Sequence, residues 1–262
     1  MEHITLPNVR KLFLTDPGFI QYEADLKGAD AQVVAWEAED EDLMSAFRAG
    51  LDVHVKNAED MLGSAFTSLP KHQKKTKRKE NKLAVHLTNY GGKPSTLAQS
   101  LNWTVRDAEK FQRRWFSLHP NIPNIFHRKV RESLERNRTI HNRFDFRIVY
   151  FNRIDDAFTE ALAWIPQSTV ALVTYYGSQK LEQKYWPHQL APNWMPRTED
   201  DLAGILLQTH DSLNFQFRLA LDPGPKQLAL DLAVPIPYPD PLTIPWEIKS
   251  STKSWGDMEE CK

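Results

Sequence analysis

The first regular segment of the chain is marked by alternation of residue type. In residues 18–25, GFIQYEAD, successive side chains fall into two alternating sets, and aromatic and β-branched residues are common. This period of two predicts a β-strand that ends at or just after Asp25. Glu41–Arg48 and Val53–Leu62 instead carry apolar residues at helical spacing, and a glycine follows each segment. We therefore predict two short helices after the strand.

Helical patterns continue through residues 70–140. A basic helix is predicted over residues 72–90, where a pair of glycines ends it. Three more helices are predicted: residues 95–101, a segment capped by Thr104 that carries an aromatic face, and residues 122–137. Pro120 separates the last two.

The last third of the chain mixes strands with one long helix. Strand character returns at residues 143–151, and a helix is predicted over residues 155–175, bent or interrupted by Pro166. Residues 186–199 are rich in Pro and Trp and predict a loop, and residues 200–209 begin as a helix or turn before the apolar run GILLQT. Two strand-like runs around His210-Asp211-Ser212 then predict a hairpin, and short strands follow in a proline-rich tail.

Charge and cysteine content narrow the function classes. The 262 residues have a formal net charge of -1, but residues 71–82 contain seven Lys or Arg, which indicates a local phosphate-facing surface. Cys261 is the single cysteine, so no intrachain disulfide forms and a reducing compartment is favoured. Neither a secretory signal nor a membrane-spanning apolar run is present. We expect a cytoplasmic protein, or one acting in the host cytoplasm if viral.

Two separated aspartates are candidate metal ligands. Asp25 lies at the end of the first predicted strand and Asp211 in the predicted hairpin turn. Two converging carboxylates are the minimum protein contribution to a pair of Mg²⁺ ions, which take their remaining ligands from water and substrate phosphates. The alternative is that each aspartate is an ordinary turn residue, which is the commoner case for either one alone.

One face of the basic helix suits a nucleoside triphosphate. Arg78, Lys82, His86 and Tyr90 recur every four residues and are followed by Gly91, so they share a face. Cations suit phosphates, and flat rings suit a sugar and base. On spacing alone, a solvated cationic helix that ends in a buried tyrosine explains the pattern as well.

A third candidate lies inside the long predicted helix. Residues 165–169, IPQST, place Gln167 and two hydroxyls beside the proline. Such groups can donate to a phosphate backbone or a minor-groove edge. The commoner explanation is a helix kink with locally satisfied side chains.

Taken together and in order, these segments resemble the motifs of family A DNA polymerases, the group of bacterial repair polymerases and many phage replicases. DLKGADAQVVAWEAEDEDLMSAFRAGLDVH resembles the first motif and its following helices, and RKENKLAVHLTNYGG resembles the fingers helix. EALAWIPQSTVA resembles the helix that touches the minor groove, and THDSLNFQF resembles the third motif. The resemblance covers nearly the whole chain.

The resemblance implies a role for each residue at the matching positions. Asp25 and Asp211 would hold two Mg²⁺ ions, with the backbone carbonyl of Leu26 as an extra ligand. Lys82 would also protonate the pyrophosphate leaving group. The other implied nucleotide-binding residues are Arg78, His86, Tyr90 and Asp30, and the implied DNA-binding residues are Gln167, His210 and Gly91.

Three departures from the family pattern stand out. Ser212 occupies a position where Glu is usual, so one carboxylate near the metals is lost. His86 stands where the family has Phe or Tyr beneath the incoming sugar. The thumb, the exonuclease domain and the first palm segment would all lie upstream of Met1, so we expect a C-terminal fragment or a split subunit whose upstream part is on another chain.

These observations predict an α+β fold and a polymerase function. Residues 1–40 and 156–262 would form the palm, an antiparallel sheet backed by helices, and residues 41–155 the inserted helical fingers. The expected activity is DNA-directed DNA synthesis in replication, using primer-template DNA and dNTPs with no membrane involved. The alternative is a non-catalytic DNA-binding polymerase remnant, and a two-metal nuclease has no need of the four-spaced helix face.

Overall fold

The computed structural model describes residues 7–190 and 202–261. The chain divides into two compact units: Met1–Ala29 with Val170–Lys262, and Asp30–Thr169. The first is built on an antiparallel sheet and the second is mainly helical, which confirms an α+β fold. The identification of these units as palm and fingers, with the boundaries expected above, stays a prediction.

The sheet of the first unit is formed by β1 (Phe19–Leu26), β4 (Gly204–Gln208), β5 (Ser212–Arg218), β8 (Trp246–Ser251) and β9 (Glu259–Glu260). Its strand order is β4-β5-β1-β8-β9. Two-residue strands β6 (Pro235–Ile236) and β7 (Leu242–Thr243) pair with each other, and helix α10 (Pro225–Leu232) belongs to the same unit. The central position of β1 places its end between two neighbouring strands.

Alternation along β1 gives the sheet two unlike faces. Tyr22, Ala24 and Leu26 are buried on one face, and their register partners on β5 and β8 are mostly apolar. The opposite face carries Glu23 and Asp25, together with polar partners on both neighbouring strands. The apolar face stabilises the sheet by burial, which leaves the polar face for chemistry.

The second unit consists of packed helices and one small hairpin. Two of its helices have aspartate N-caps: the side chain of Asp40 accepts from the Leu43 amide, and that of Asp52 accepts from two amides of the following turn. The hairpin strands are β2 (Thr139–His141) and β3 (Arg147–Val149). The helices are α1 (Ala29–Glu37), α2 (Glu41–Arg48), α3 (Val53–Leu62), α4 (Ser64–Thr67), α5 (Lys71–Asn89), α6 (Pro94–Leu101), α7 (Val105–Leu118) and α8 (Arg128–Asn137).

The longest helix, α9 (Ile154–Tyr185), contains the boundary between the two units. Pro166 lies inside it without interrupting it, and the helix runs ten residues beyond the predicted end at residue 175. Gly177, which favours a helix end in sequence, instead allows close packing. A Cβ at this position would lie 3.2 Å from the Leu232 carbonyl oxygen and 3.3 Å from the Trp246 ring.

Several other predicted elements differ in detail. The helix predicted over residues 122–137 begins as a π-helical turn, Ile122–His127, before α8. Within the predicted strand 143–151 only β3 is a paired strand, and no sequence pattern indicated its partner β2. Helix α10 was also missed, because Pro225 at its first turn resembles the rest of the proline-rich tail. Pro187–Leu190 forms a 3-10 turn, and residues 191–201 of the predicted loop and turn lie outside the described residues.

Candidate functional site

The first unit brings the two predicted metal ligands together. Asp25 is the next-to-last residue of β1, and Asp211 lies in the turn between β4 and β5, as predicted. The backbone amide of Leu26 donates to the carbonyl oxygen of Asp211 over 2.9 Å, which ties the turn to the end of β1. The sheet therefore holds two carboxylates at one place without help from side-chain contacts.

The electrostatics of this pair favour a cation. Burial raises the pKa of Asp25 to about 6, and the Asp211 carboxylate adds to the shift while Lys249 opposes it. A raised carboxyl pKa means that the second negative charge is costly at this place. A divalent ion would relieve this repulsion, and carboxylates are ligands that Mg²⁺ prefers, so the residues present fit the predicted metal site.

The residues around Asp211 complete the turn. The amide of Thr209 donates to the carbonyl of Ser212 over 2.9 Å, and the two side-chain oxygens lie 2.5 Å apart. Ser212 is buried, whereas the side chain of His210 is exposed and its carbonyl accepts from Thr174. The turn is thus fixed by its own hydrogen bonds, and the roles of His210 and the Leu26 carbonyl stay predictions.

The second unit carries the predicted nucleotide-binding face on α5. Lys82 is exposed, and the described part of the chain gives its ammonium no hydrogen-bond or ion-pair partner. Arg78 is instead bound to Asp52, with 3.0 Å between Nε and Oδ2 and 2.9 Å between Nη2 and Oδ1. Of the two cations, Lys82 is immediately available to a ligand and Arg78 must first exchange a carboxylate.

The aromatic end of the same face forms a closed network. The Tyr90 hydroxyl donates to Oδ2 of Asp30 over 3.1 Å, and the His86 and Tyr90 rings meet edge to face with centroids 4.2 Å apart. Burial raises the pKa of Tyr90, and the Asp30 carboxylate adds to the shift. Burial lowers the pKa of His86 despite an opposing effect of Asp30. The structure therefore groups Asp30, His86 and Tyr90, as the resemblance implied.

The glycines after α5 are required by space and by conformation. Gly91 has φ +71°, and a Cβ there would lie 2.9 Å from Cδ1 of Leu162. A Cβ at Gly92 would lie 2.8 Å from the Leu87 carbonyl oxygen, which accepts from the Gly92 amide. Any larger residue at position 91 would disturb the end of the candidate nucleotide face.

Gln167 is exposed on α9, while its hydroxyl neighbours are engaged. Ser168 accepts from Asn142 over 3.0 Å, and the Thr169 hydroxyl donates to the Ile165 carbonyl over 2.7 Å. Both hydroxyls therefore already have hydrogen-bond partners within the protein, including the Ile165 carbonyl, to which Ser168 also donates over 3.3 Å. Gln167 alone keeps a side chain that is open to a partner at the surface.

Two residues at the start of α3, Asp52 and His54, lie beside the α5 face and were not singled out by any sequence pattern. Burial, together with the charges of Lys82 and Arg78, lowers the pKa of His54 to about 4. Asp52, two residues earlier, both caps α3 and binds Arg78. The available signal was the helix start itself, because an N-cap aspartate fixes the next turn and so fixes where His54 lies.

A second acidic group occurs in the helical unit. One ligand atom from each of Asp40, Asp42 and His119 lies within 4.8 Å of the others, a spacing that suits one ion. Asp40 already accepts from the Leu43 amide and contacts His119 Nδ1 at 3.0 Å, and Lys56 donates to Asp42 over 2.6 Å. Because these carboxylates already have partners, we assign the group to packing.

Comparisons with known proteins agree with these motifs. The sequence model described as DNA polymerase family A matches residues 3–221. DNA polymerase I of Geobacillus stearothermophilus is 29% identical over 130 residues, which are 49% of this chain and 14% of the relative. DNA polymerase I of Helicobacter pylori is 22% identical over 90% of this chain and 25% of its own length. The DNA polymerase of Mycobacterium phage D29 is 27% identical over 53% of this chain and 22% of its own length.

The fold has a solved counterpart. The POL domain of Pol1 from M. smegmatis, solved in complex with DNA primer-template and dNTP, matches 98% of this chain and 45% of its own length, with a TM-score of 0.76 and 19% identity. The chain thus spans less than half of these relatives. Among the described residues, no helix is long and apolar enough to cross a membrane.

Proposed function

Because the chain belongs to DNA polymerase family A, we propose that it catalyses template-directed DNA synthesis, with dNTPs and a primer-template as substrates. The observation that carries the proposal is the convergence of Asp25 and Asp211, fixed by the hydrogen bond from the Leu26 amide to the Asp211 carbonyl. The family works with divalent metal ions, and this is the pair of carboxylates that the family motifs assign to them.

The reaction is an in-line displacement. The primer 3′-oxygen forms a bond to the α-phosphorus of the dNTP as the bond to the pyrophosphate oxygen breaks, and the proton of the 3′-hydroxyl passes to solvent water. Two Mg²⁺ ions held by Asp25, Asp211 and the Leu26 carbonyl would stabilise the attacking and leaving oxygens. Because the pKa of Asp25 is raised to about 6, a fraction of this carboxyl group is protonated near that pH, and a bound cation would displace the proton.

The α5 face takes the triphosphate. Lys82 neutralises the phosphates and donates a proton to the leaving pyrophosphate, since its ammonium is exposed and unengaged among the described residues. Arg78 joins it by exchanging Asp52 for a phosphate oxygen, an equivalent charge-assisted hydrogen bond. His54 adds a third nitrogen ligand beside them.

The remaining residues position sugar, base and duplex. The Tyr90 hydroxyl and Asp30 form a rigid pair beneath the incoming sugar, with His86 against the Tyr90 ring. Gly91 shapes the slot for the templating base pair, because a Cβ would displace Leu162. Gln167 and His210 contact the primer-template, and both have exposed side chains.

A non-catalytic DNA-binding remnant is the second candidate, and Ser212 favours it. Without the usual Glu at this position, the metal site has one carboxylate fewer than most relatives. The two candidates differ in one respect that can be measured, since only the first requires bond formation to depend on Asp211.

Single-turnover primer extension with protein in excess over primer-template separates chemistry from weak DNA binding. We expect addition of the nucleotide that pairs with the template, only when Mg²⁺ is present. Asp211→Asn should abolish it, and Glu259→Gln, an exposed carboxylate on the same sheet, should not. Duplex binding by the unmodified chain without any extension would favour the remnant, and extension by Asp211→Asn at the unmodified rate would overturn the metal assignment.

A further inference from the structure

The position opposite Asp25 on β5 carries no carboxylate. Ser212 is the register partner of Asp25 on that strand. Its hydroxyl is buried and lies 2.5 Å from that of Thr209, so it is committed to the turn. A site built only from Asp25 and Asp211 has four carboxylate oxygens for two divalent ions, which leaves water to supply many of the remaining ligands.

Strand β1 has a second neighbour, and that neighbour does carry a carboxylate beside Asp25. Glu247 on β8 is the register partner of Asp25 on this side. Directly opposed residues of antiparallel strands project to the same face, with Cβ atoms about 4.5–5.5 Å apart. Trp246 and Ile248 on either side of Glu247 are buried, which confirms that Glu247 belongs to the polar face.

Glu247 is also available. Its side chain is 53% exposed, and its contact with Lys27 spans 3.6 Å between exposed groups, a surface pair that contributes little and exchanges readily. The other nearby carboxylate is not available: Glu23 is almost buried, accepts from Trp255 Nε1 over 2.7 Å and lies 3.3 Å from Arg10.

Asp25 and Glu247 are register partners on neighbouring antiparallel strands. A water molecule bound to a cation at Asp25 can therefore donate a hydrogen bond to the Glu247 carboxylate, so the two carboxylates can share one ion through its water ligands.

We propose that Glu247 supplies the third carboxylate of the metal site, from the strand on the opposite side of Asp25, in place of the one that Ser212 lacks. It acts as a positioning residue, accepting hydrogen bonds from metal-bound water. This inference rests on the proposed function, because it requires the metal site at Asp25 and Asp211. With Glu247 in this role, a family A site can keep its metal ions although position 212 is a serine.

The proposal is tested by measuring Mn²⁺ binding to the full chain without nucleotide. Binding is monitored by electron paramagnetic resonance, because the signal of free Mn²⁺ decreases as the ion binds. The Mn²⁺ site of interest is the one that Asp211→Asn removes. We expect Glu247→Gln to weaken this site about tenfold, as loss of an outer-shell partner does, and Glu259→Gln to leave it unchanged. The Mg²⁺ concentration that gives half-maximal primer extension should also be higher for Glu247→Gln than for the unmodified chain.

The decisive variant moves the third carboxylate from position 247 on β8 to position 212 on β5, on the other side of Asp25. Adding Ser212→Glu to Glu247→Gln should restore Mn²⁺ affinity to within about twofold, since outer-shell partners act through the same waters. If Asp211→Asn removes the site but Glu247→Gln binds Mn²⁺ like the unmodified chain, Glu247 has no role while the proposed function stands. If Asp211→Asn leaves Mn²⁺ binding intact, the metal assignment itself is wrong. Should Ser212→Glu unfold the chain, the comparison of Glu247→Gln with Glu259→Gln still decides.

Discussion

The end of the β1 strand and the exposed face of α5 balance charge in opposite ways. At the strand end Asp25 and Asp211 carry like charges, and burial together with the Asp211 charge raises the pKa of Asp25 to about 6. On the α5 face most polar groups already have partners within the fold: Arg78 binds Asp52, and the neutral Tyr90 hydroxyl donates to Asp30. The first region needs a cation to balance its carboxylates, whereas the second keeps one ammonium, that of Lys82, without a partner among the described residues.

This difference indicates what each region can do. Two nearby carboxylates attract a cation, which suits metal binding. A face with paired polar groups and one unengaged ammonium, that of Lys82, suits an anion, and Arg78 needs only to exchange Asp52 for the anion. We expect substitutions at the strand end to weaken metal binding and substitutions on the helix face to weaken nucleotide binding.

The largest expected effect comes from breaking the unbalanced pair. Asp25→Asn should reduce the rate of single-turnover extension on the order of thousands-fold, because charge stabilisation by the metal ions lowers the activation barrier by several kcal/mol. Glu259→Gln is the control for loss of a carboxylate on the same sheet. Extension within tenfold of the unmodified chain would show that Asp25 holds no catalytic metal.

A smaller effect is expected from removing the unengaged cation of α5. Lys82→Ala should weaken dNTP use roughly 10–100-fold, the value of one or two charge-assisted hydrogen bonds, with little change in duplex affinity. Lys77→Ala is the control, because Lys77 is paired with Glu80 on the same helix. Equal losses in nucleotide and duplex binding would mean that α5 is a general DNA-contact surface.

A side chain at position 91 should destabilise the end of the α5 face. Gly91→Ala should cost about 2–3 kcal/mol of unfolding free energy, from the left-handed backbone and the contact with Leu162. Gly50 has nearly the same φ, +70°, with nothing within 4 Å of a Cβ, so Gly50→Ala should cost about 1 kcal/mol. Equal denaturation midpoints for the two variants would contradict the proposed close packing at Gly91.

The smallest effect has the opposite sign. Because the pKa of Asp25 in the folded state is about 6, above the ordinary value of 3.8, the folded state holds an extra proton between those pH values, and stability falls as pH rises through about 4 to 6. Asp25→Asn should therefore stabilise the metal-free chain above pH 6, on the order of 1 kcal/mol after allowance for the half-exposed carboxylate. A chemical denaturation series at pH 4 and pH 7 should show the gain only at pH 7.

The sequence predicted those elements whose patterns are local. Alternation predicted β1, and the hairpin around Asp211 followed from two apolar runs on either side of a short polar turn. The four-residue spacing from Arg78 to Tyr90 predicted that these side chains share one helix face. In the structure Arg78, Lys82 and His86 lie on α5, and Tyr90 is the residue directly after its end. The family resemblance is confirmed by the match over residues 3–221.

What the sequence could not predict depends on partners far along the chain. The role of Gly177 depends on the backbone of Leu232 and the ring of Trp246, which only the folded unit brings near. Arg78 appeared to be a free cation until Asp52, 26 residues earlier, was found bound to it. The pairing of Glu247 with Asp25 arises because β8 lies beside β1 in the sheet, and no local pattern encodes that neighbour.

The most direct test of the account measures metal and nucleotide binding separately in two variants. Mn²⁺ binding without nucleotide and equilibrium binding of a fluorescent dNTP would be measured for Asp211→Asn and Lys82→Ala. The account predicts that Asp211→Asn loses the Mn²⁺ site and keeps dNTP affinity within a few-fold, and that Lys82→Ala does the reverse. If either variant lost both activities to the same extent, the division of labour between the strand end and the helix face would be contradicted.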